Sequence, residues 1–251
     1  MIEAKRLSKR YGDIVAVNDV SFSIGRGEVV GFLGPNGAGK TTTMRMLTGF
    51  LPPTEGTAVI AEHDIFEDPI SARRSVGYLP ESPPLYPEMT VTAYLGYVAR
   101  IKDVPRPRRR EAVDRALERC ALVDVRRRVI GTLSKGFKQR VGLAQAIVHD
   151  PPVLILDEPT VGLDPLQIRE IRSLIADLAA PAKGELQQTV VLSTHILAEV
   201  EAICRRVILI SDGRKTVDAP IGELTAGGRS LEEIFTRETA RDIAAEAEVS
   251  P

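Results

Sequence analysis

The 251-residue chain has 33 lysine and arginine residues against 34 aspartate and glutamate residues, and 43% of it is hydrophobic. This balance gives no reason to expect nucleic acid as a partner, and the length suits one large α/β domain or two joined lobes. The two cysteines, Cys120 and Cys204, form no metal-binding or disulfide pattern. With no signal-peptide pattern and no apolar run of roughly 18 residues, we expect a cytoplasmic chain that does not itself cross a membrane.

Strand patterns dominate the first 80 residues. The segment "IVAVNDVSFSI" alternates apolar and polar side chains, and "EVVGFLG" is the continuous apolar run of a buried strand. After a glycine-rich loop, "TTMRMLTGF" has helical spacing. The segments "PTEGTAVIAEHDI" and "SVGYLPE" then predict two further strands with turns.

The pattern is helical from about residue 83 to 150, as in "TVTAYLGYVARIK" and "RREAVDRALERCALV". Strands return at "PVLILDE", "TVVLSTH" and the hairpin "RRVILISDGRKTV", separated by the helical segments "PLQIREIRSLIADLAA" and "AEVEAIC". Because strands that alternate with helices form parallel sheets, we predict an α/β fold with a mainly parallel core sheet and an inserted helical lobe. The last residues, "RDIAAEAEVSP", have the character of a frayed tail.

The segment "GPNGAGKT", residues 34 to 41, fits the pattern G-x-x-x-x-G-K followed by Ser or Thr, between an apolar strand and a helix. Its glycines allow backbone N–H groups to face phosphates at the positive end of that helix. Lys40 is expected to reach the β- and γ-phosphates, and Thr41 to ligate Mg²⁺. The predicted nucleotide-binding residues are Gly34, Pro35, Asn36, Gly37, Ala38, Gly39, Lys40, Thr41 and Thr42.

Three polar residues follow the ends of later apolar strands. In "VLILDEPT", Asp157 and Glu158 project to opposite faces, which suits Asp157 as a metal-associated acid and Glu158 as the residue that polarises a water. Alone, this pair is also typical of a capped strand end. His195 closes "TVVLSTH", and in a parallel sheet it meets the phosphate loop at the carboxyl edge. We therefore predict that His195 contacts the γ-phosphate or the attacking water.

Three further features lie in other segments of the chain. The segment "TLSKGFKQRVGLAQ", residues 132 to 145, places Ser134 and Gly136 at the start of a helix and indicates a second anion-binding turn. Tyr11 lies in a polar turn, where it is either an adenine-stacking platform or an ordinary exposed tyrosine. The basic runs at 106–110 and 126–128 are typical of solvated helix faces.

In this order, these residues resemble the ATP-binding subunit of an ABC transporter over about residues 1–225. The resemblance implies an ABC-type P-loop NTPase with an N-terminal antiparallel β subdomain, an inserted helical subdomain at about 83–150, and a C-terminal helical extension and tail at 226–251. The matching motifs are Tyr11 as aromatic loop, 34–41 as Walker A, 133–140 as signature motif, 153–158 as Walker B, 162–164 as D-loop and His195 as switch histidine.

The resemblance also implies a mechanism. Two cassettes, this chain and a second copy or a paralogous cassette, pack head-to-tail around two Mg·ATP, with Ser134, Lys135 and Gly136 facing the ATP of the partner. Asp164 links the two sites, Tyr11 stacks on adenine, and Glu81 joins Thr41 and Asp157 as a Mg²⁺ ligand. ATP hydrolysis then drives an integral membrane permease of about six spans at the cytoplasmic face of the membrane. The motifs are most similar to drug-export and gliding-motility cassettes, so an exporter is expected.

This chain departs from the family pattern in two motifs. The usual signature L-S-G-G-Q is replaced by "LSKGF", which places Lys135 either near phosphate or in solvent. Glu81 stands where the family has glutamine and adds a negative charge near the triphosphate. The alternatives are a soluble ABC ATPase acting on nucleic acid or the ribosome, which would carry a long insertion or two cassettes, and a P-loop kinase or GTPase, although no N-K-x-D motif is present.

Overall fold

The computed structural model describes residues 1–180 and 188–239. The strands are β1 (Ile2–Tyr11), β2 (Ile14–Ile24), β3 (Val29–Leu33), β4 (Glu55–Ile60), β5 (His63–Asp64), β6 (Val76–Leu79), β7 (Val153–Asp157), β8 (Thr189–Thr194), β9 (Arg206–Ser211) and β10 (Arg214–Pro220). The α-helices are α1 (Lys40–Leu47), α2 (Pro69–Arg74), α3 (Val91–Ile101), α4 (Arg109–Arg119), α5 (Lys135–Ile147), α6 (Pro165–Ala179), α7 (Leu197–Ile203) and α8 (Ile221–Leu224). Within the described ranges, no helix is long and apolar enough to cross a membrane.

The strands form two sheets. The first is antiparallel in the order β2-β1-β4-β5, and the second has the order β10-β9-β3-β8-β7-β6. In the second sheet every neighbouring pair from β9 to β6 is parallel, and only the β9–β10 hairpin is antiparallel. Every residue of β7 and β8 is buried, which fits strands that are covered on both faces. The predicted mainly parallel core and N-terminal antiparallel sheet are confirmed.

Two hydrophobic clusters cover the faces of the parallel sheet. One lies between the two sheets and α1 and includes Leu7, Phe22, Phe32 and Met44, with the rings of Phe22 and Phe32 5.7 Å apart. The other includes apolar side chains of α3 to α7. Full burial of each large apolar side chain contributes about 1.5–3 kcal/mol, so both layers fix the position of the sheet edge that carries the predicted site residues.

The chain between β6 and β7 is helical in α3, α4 and α5, which all lie within the predicted lobe at 83–150. Helix α5 approaches β6 so closely that a Cβ at Gly77 would clash with the carbonyl oxygen of Ala146. The segment that begins at Ser134 is therefore docked directly on the strand that leads to Glu81.

Some elements differ from expectation. The sequence patterns missed α2, whose start is fixed by Asp68: its side chain accepts a hydrogen bond from the backbone N–H of Ser71, and Pro69 follows at the first helical position. Residues 231–239, inside the predicted extension at 226–251, are helical, and Leu231 and Ile234 are buried. The predicted frayed tail "RDIAAEAEVSP" lies outside the described residues.

Candidate functional site

The carboxyl ends of neighbouring parallel strands meet at one edge of the core sheet. Strand β3 leads into the glycine-rich loop, β6 leads towards Glu81, β7 ends at Asp157, and β8 ends just before His195. A cavity of about 410 Å³ opens at this edge and is lined by Ala16, Asn36, Gly37, Gly39, Lys40, Thr41, Thr42, Glu81, Glu158, Val161 and His195. A larger cavity of about 820 Å³, near residues 26–29, contains none of the predicted site residues.

The glycine-rich loop is held tightly against its neighbours. Gly39 has φ 97° at the N-cap of α1, and a Cβ there would clash with the carbonyl oxygen of Ala16. A Cβ at Gly34 would likewise clash with the carbonyl oxygen of Ile210. No side chain caps the N-terminus of α1. Its first N–H groups are thus available to an anion, which the helix dipole favours.

Lys40 is a buried cation at the floor of this cavity. Its Nζ donates hydrogen bonds to the carbonyl oxygens of Gly34, at 2.8 Å, and Pro35, at 3.0 Å, and lies 3.5 Å from Oε1 of Glu158. Burial lowers the pKa of Lys40, and the charge of Glu158 opposes that shift. The ammonium group of Lys40 therefore holds the glycine-rich loop through two hydrogen bonds and gives the cavity a positive charge.

Asp157 is fully buried and lies beside two side-chain hydroxyl groups. Its Oδ1 accepts hydrogen bonds from Ser193 Oγ at 2.8 Å and Thr41 Oγ1 at 3.3 Å, whereas its buried Oδ2 has no hydrogen-bond partner among the described residues. Burial raises the pKa of Asp157, and the two hydroxyl donors oppose the shift. A carboxylate oxygen and a threonine hydroxyl side by side fit Mg²⁺, which prefers one or two carboxylates completed by phosphate oxygens.

Glu158 and His195 form a contact pair. Both carboxylate oxygens of Glu158 lie 3.0 Å from Nδ1 of His195. The backbone of Glu158 is left-handed, with φ 49°, and its N–H donates to the carbonyl oxygen of Ser193 at 2.8 Å. This conformation is costly for a non-glycine residue, and such outliers cluster at functional sites. The last residue of β7, Asp157, thus faces Thr41, and the turn after β7 places Glu158 beside Lys40 and His195.

Nine predicted residues do not line the cavity. Gly34, Pro35, Ala38 and Asp157 lie in or against the glycine-rich loop, whereas Tyr11, Ser134, Lys135, Gly136 and Asp164 belong to other segments. Tyr11 is 47% exposed, with Nζ of Lys9 5.5 Å from its ring centroid. Asp164 caps α6 by accepting hydrogen bonds from the N–H groups of Leu166 and Gln167 at 3.0 and 2.9 Å.

The exposed Ser134 is the N-cap of α5, and its Oγ accepts a 3.4 Å hydrogen bond from the N–H of Phe137. No acidic side chain lies in the first turn of α5, which keeps the positive helix end open to an anion. Of the two positions expected for Lys135, near phosphate or in solvent, the structure shows the side chain exposed to solvent. Its Nζ lies against Gly162, so that a Cβ there would clash with it.

Sequence reasoning missed residues that support the site from other strands and loops. Ser193 holds Asp157 and the turn at Glu158, and Ala16 of β2 lines the cavity. A buried hydrogen-bonded group lies behind the cavity and consists of Thr160, Thr194 and Glu199. From the sequence, Ser193 and Thr194 could have been predicted only as polar residues at the end of an apolar strand. The other contacts join distant parts of the chain, so no local pattern indicates them.

The glycine-rich loop, the strand-end carboxylates and the parallel sheet together define a P-loop nucleotide-binding protein. A family model described as "ABC transporter" matches residues 17–161, more than half of the chain. The chain belongs to this family.

Among curated proteins, the chain is similar to the Nod factor export ATP-binding protein I of Burkholderia orbicola, with 39% identity over 86% of this chain and 70% of that protein. It is also similar to a solved ATP-binding subunit of an ABC transporter, with 31% identity, a TM-score of 0.82, and coverage of 95% of this chain and 99% of that one. A bacterial ABC transporter cassette solved as a dimer is 26% identical, with a TM-score of 0.77 and coverage of 92% and 100%. The predicted ABC-type fold and family are confirmed.

Proposed function

We propose that this chain is the ATP-hydrolysing subunit of an exporter, and that it closes head-to-tail with a second copy or a paralogous cassette around two Mg·ATP. The observation that carries this proposal is that the anion-binding groups of the chain lie in two separate places. Lys40, Glu158 and His195 line one cavity, whereas the exposed helix cap at Ser134 does not line it. A second open helix N-terminus on another surface fits the phosphate of a nucleotide held by a partner.

Within one chain, the loop N–H groups and Lys40 bind the β- and γ-phosphates of ATP. Thr41, Asp157 and Glu81 are the residues that would hold Mg²⁺. When bound, Mg²⁺ neutralises phosphate oxygens and orients the γ-phosphate. The unpaired Oδ2 of Asp157 supports this assignment, because a buried carboxylate oxygen with no donor is expensive unless a ligand satisfies it.

Glu158 orients the attacking water and accepts its proton, since its carboxylate faces the cavity and lies beside Lys40. His195 holds that carboxylate through Nδ1 and lines the same cavity, where it reaches the γ-phosphate. Ser134, Lys135 and Gly136 bring the N-terminus of α5 to the γ-phosphate of the partner's ATP. Asp164 joins the two sites across the contact, and Tyr11 stacks on adenine.

The helical lobe connects this cycle to a membrane partner. Helix α5 packs on β6, so a movement at Ser134 is transmitted to the segment around Glu81. ATP binding favours the closed pair and hydrolysis removes that preference, which moves an integral permease of about six spans between two states at the cytoplasmic face. The similar Nod factor protein is named for export, which supports the export direction.

The first test is magnesium dependence. The purified chain is expected to release phosphate from ATP in the presence of Mg²⁺ and to lose this activity when EDTA is added, because Asp157 and Thr41 act on the phosphates through the metal. Lys40→Ala should abolish activity in the same assay. Phosphate release that persists in EDTA would contradict the assignment of Thr41, Asp157 and Glu81.

The second test concerns the partner. A tagged chain, expressed in its own cells and recovered from detergent-solubilised membranes, is expected to retain one integral membrane protein with about six apolar spans. The same tag on an unrelated protein is the control. Recovery of ribosomes or nucleic acid, with no membrane protein, would replace the exporter proposal by the soluble alternative.

A further inference from the structure

A buried carboxylate behind the cavity joins two segments that carry site residues. Glu199, in α7, is 1% exposed. Its Oε1 accepts a hydrogen bond from Thr160 Oγ1, and its Oε2 accepts one from Thr194 Oγ1 at 2.8 Å. Nη2 of Arg172, in α6, lies 3.7 Å from Oε1. Both oxygens of this buried charge are therefore engaged by donors from different parts of the chain.

The two threonines flank the Glu158–His195 contact. Thr194 is the last residue of β8, immediately before His195, and its Oγ1 also accepts a 3.1 Å hydrogen bond from the N–H of Ile196. Thr160 lies two residues after Glu158, in the turn that follows β7. Glu199 thus holds the turn that carries one site residue to the strand end that carries the other.

The turn at Glu158 needs such support. Its left-handed backbone is unfavourable and persists only where the surroundings fix it. The N–H of Glu158 is bonded to Ser193 on β8, and the hydroxyl of Thr160 is bonded to Glu199 on α7. These two hydrogen bonds fix the turn at Glu158 itself and two residues later, at Thr160.

We propose that Glu199 is a positioning residue, which acts through Thr160 and Thr194 to keep the carboxylate of Glu158 and the ring of His195 in contact. The proposal rests on the proposed ATP hydrolysis. It does not place Glu199 at the reacting atoms, since Glu199 does not line the cavity. A displacement of about 1 Å of a reacting group costs on the order of 10²-fold in rate, so loss of this network should be visible in turnover.

The chain offers a matched pair of variants for the test, Thr194→Val and Thr189→Val. Both threonines lie in β8, both are fully buried, and each hydroxyl donates one hydrogen bond and accepts one. The hydroxyl of Thr189 accepts from the N–H of Gly27 at 2.9 Å and donates to the carbonyl oxygen of Gly25 at 3.3 Å, at the other end of the strand. The two substitutions therefore remove similar stabilising contacts, and only one lies beside His195.

We expect Thr194→Val to lower kcat by on the order of tenfold to a hundredfold, with the Kd for ATP unchanged. Thr189→Val should lower Tm to a similar extent and keep kcat. Glu199→Gln should reproduce the loss of kcat, because glutamine offers one acceptor oxygen instead of two. The double variant Thr194→Val/Glu199→Gln should lose no more than the worse single variant, because both substitutions act through the same network.

A second readout needs no turnover. The chain has three histidines, His63, His149 and His195, so their ring resonances can be assigned by NMR. At constant pH, Thr194→Val and Glu199→Gln should move the resonances of His195 and leave those of the other two in place, whereas Thr189→Val should move none of them.

Two results would overturn the proposal: a loss of kcat in Thr189→Val equal to that in Thr194→Val, or His195 resonances that stay in place in Thr194→Val and Glu199→Gln. A wild-type chain that hydrolyses no ATP would contradict the proposed function instead. In that case the His195 resonances would still test the positioning role of Glu199. Failure of the proposed function and failure of the positioning proposal are therefore distinguishable.

Discussion

Glu158→Gln is expected to lower steady-state ATP hydrolysis by about 10²- to 10³-fold while ATP still binds. The amide keeps the shape of the side chain but cannot take the proton of the attacking water. Lys40 retains its hydrogen bonds to the carbonyl oxygens of Gly34 and Pro35, so the phosphate loop should keep its conformation. Phosphate release and the Kd for ATP, measured on the same preparation, separate the two effects.

The same variant should accumulate as a dimer when ATP is added, because hydrolysis no longer reopens the pair. Light scattering after gel filtration should then give twice the monomer mass of 27.3 kDa with Mg·ATP and the monomer mass with ADP. Glu28→Gln is the control, since Glu28 pairs with Arg206 at 3.0 Å and does not line the cavity. Unchanged turnover in Glu158→Gln would remove Glu158 from its assigned role.

Ser134→Arg is expected to abolish ATP hydrolysis to a similar extent while each chain still binds ATP. Ser134 is exposed and lies outside the cavity formed by its own chain, so its replacement leaves the Walker A loop unaltered. The arginine removes the cap of α5 and places a long side chain where the partner's phosphate would bind. Binding of a fluorescent ATP analogue and phosphate release, measured side by side, check this result.

Thr90→Arg is a matched control for the loss of the cap. Thr90 caps α3 in the same way, with its Oγ1 accepting a 3.3 Å hydrogen bond from the N–H of Ala93. This variant should lose a comparable amount of stability, about 1 kcal/mol, and keep hydrolysis. If Ser134→Arg instead lost ATP binding and hydrolysis together, the serine would belong to the site of its own chain.

The sequence predicts the local part of the site well, because that part depends on short segments. The pattern from Gly34 to Thr41 specifies a turn, a cation and a helix start, and the structure has all three. The apolar run before Asp157 specifies a buried strand, and the alternation of strands and helices specifies a parallel sheet. Together these place His195 at the same edge as the loop.

The remaining features depend on contacts between distant residues. The segment around Glu199 is typical of an ordinary amphipathic helix, and nothing in it indicates that both carboxylate oxygens are bonded to threonines that flank Glu158 and His195. The position of Lys135 against Gly162 is likewise set by how α5 packs beside residues 162–164. Stacking of Tyr11 on adenine stays a prediction, since the tyrosine is exposed and lies outside the cavity.

The composite site between two copies is tested most directly by ATP-dependent retention of an untagged chain on a tagged one, with Glu158→Gln in both. In the first pair, the tagged chain carries Lys40→Ala and the untagged chain Ser134→Arg, which leaves one complete site if the site is shared. In the second pair, both substitutions are on the tagged chain, which leaves two incomplete sites. We predict that ATP retains the untagged chain in the first pair and much less of it in the second. Equal retention, or the reverse order, would contradict a site built from two chains.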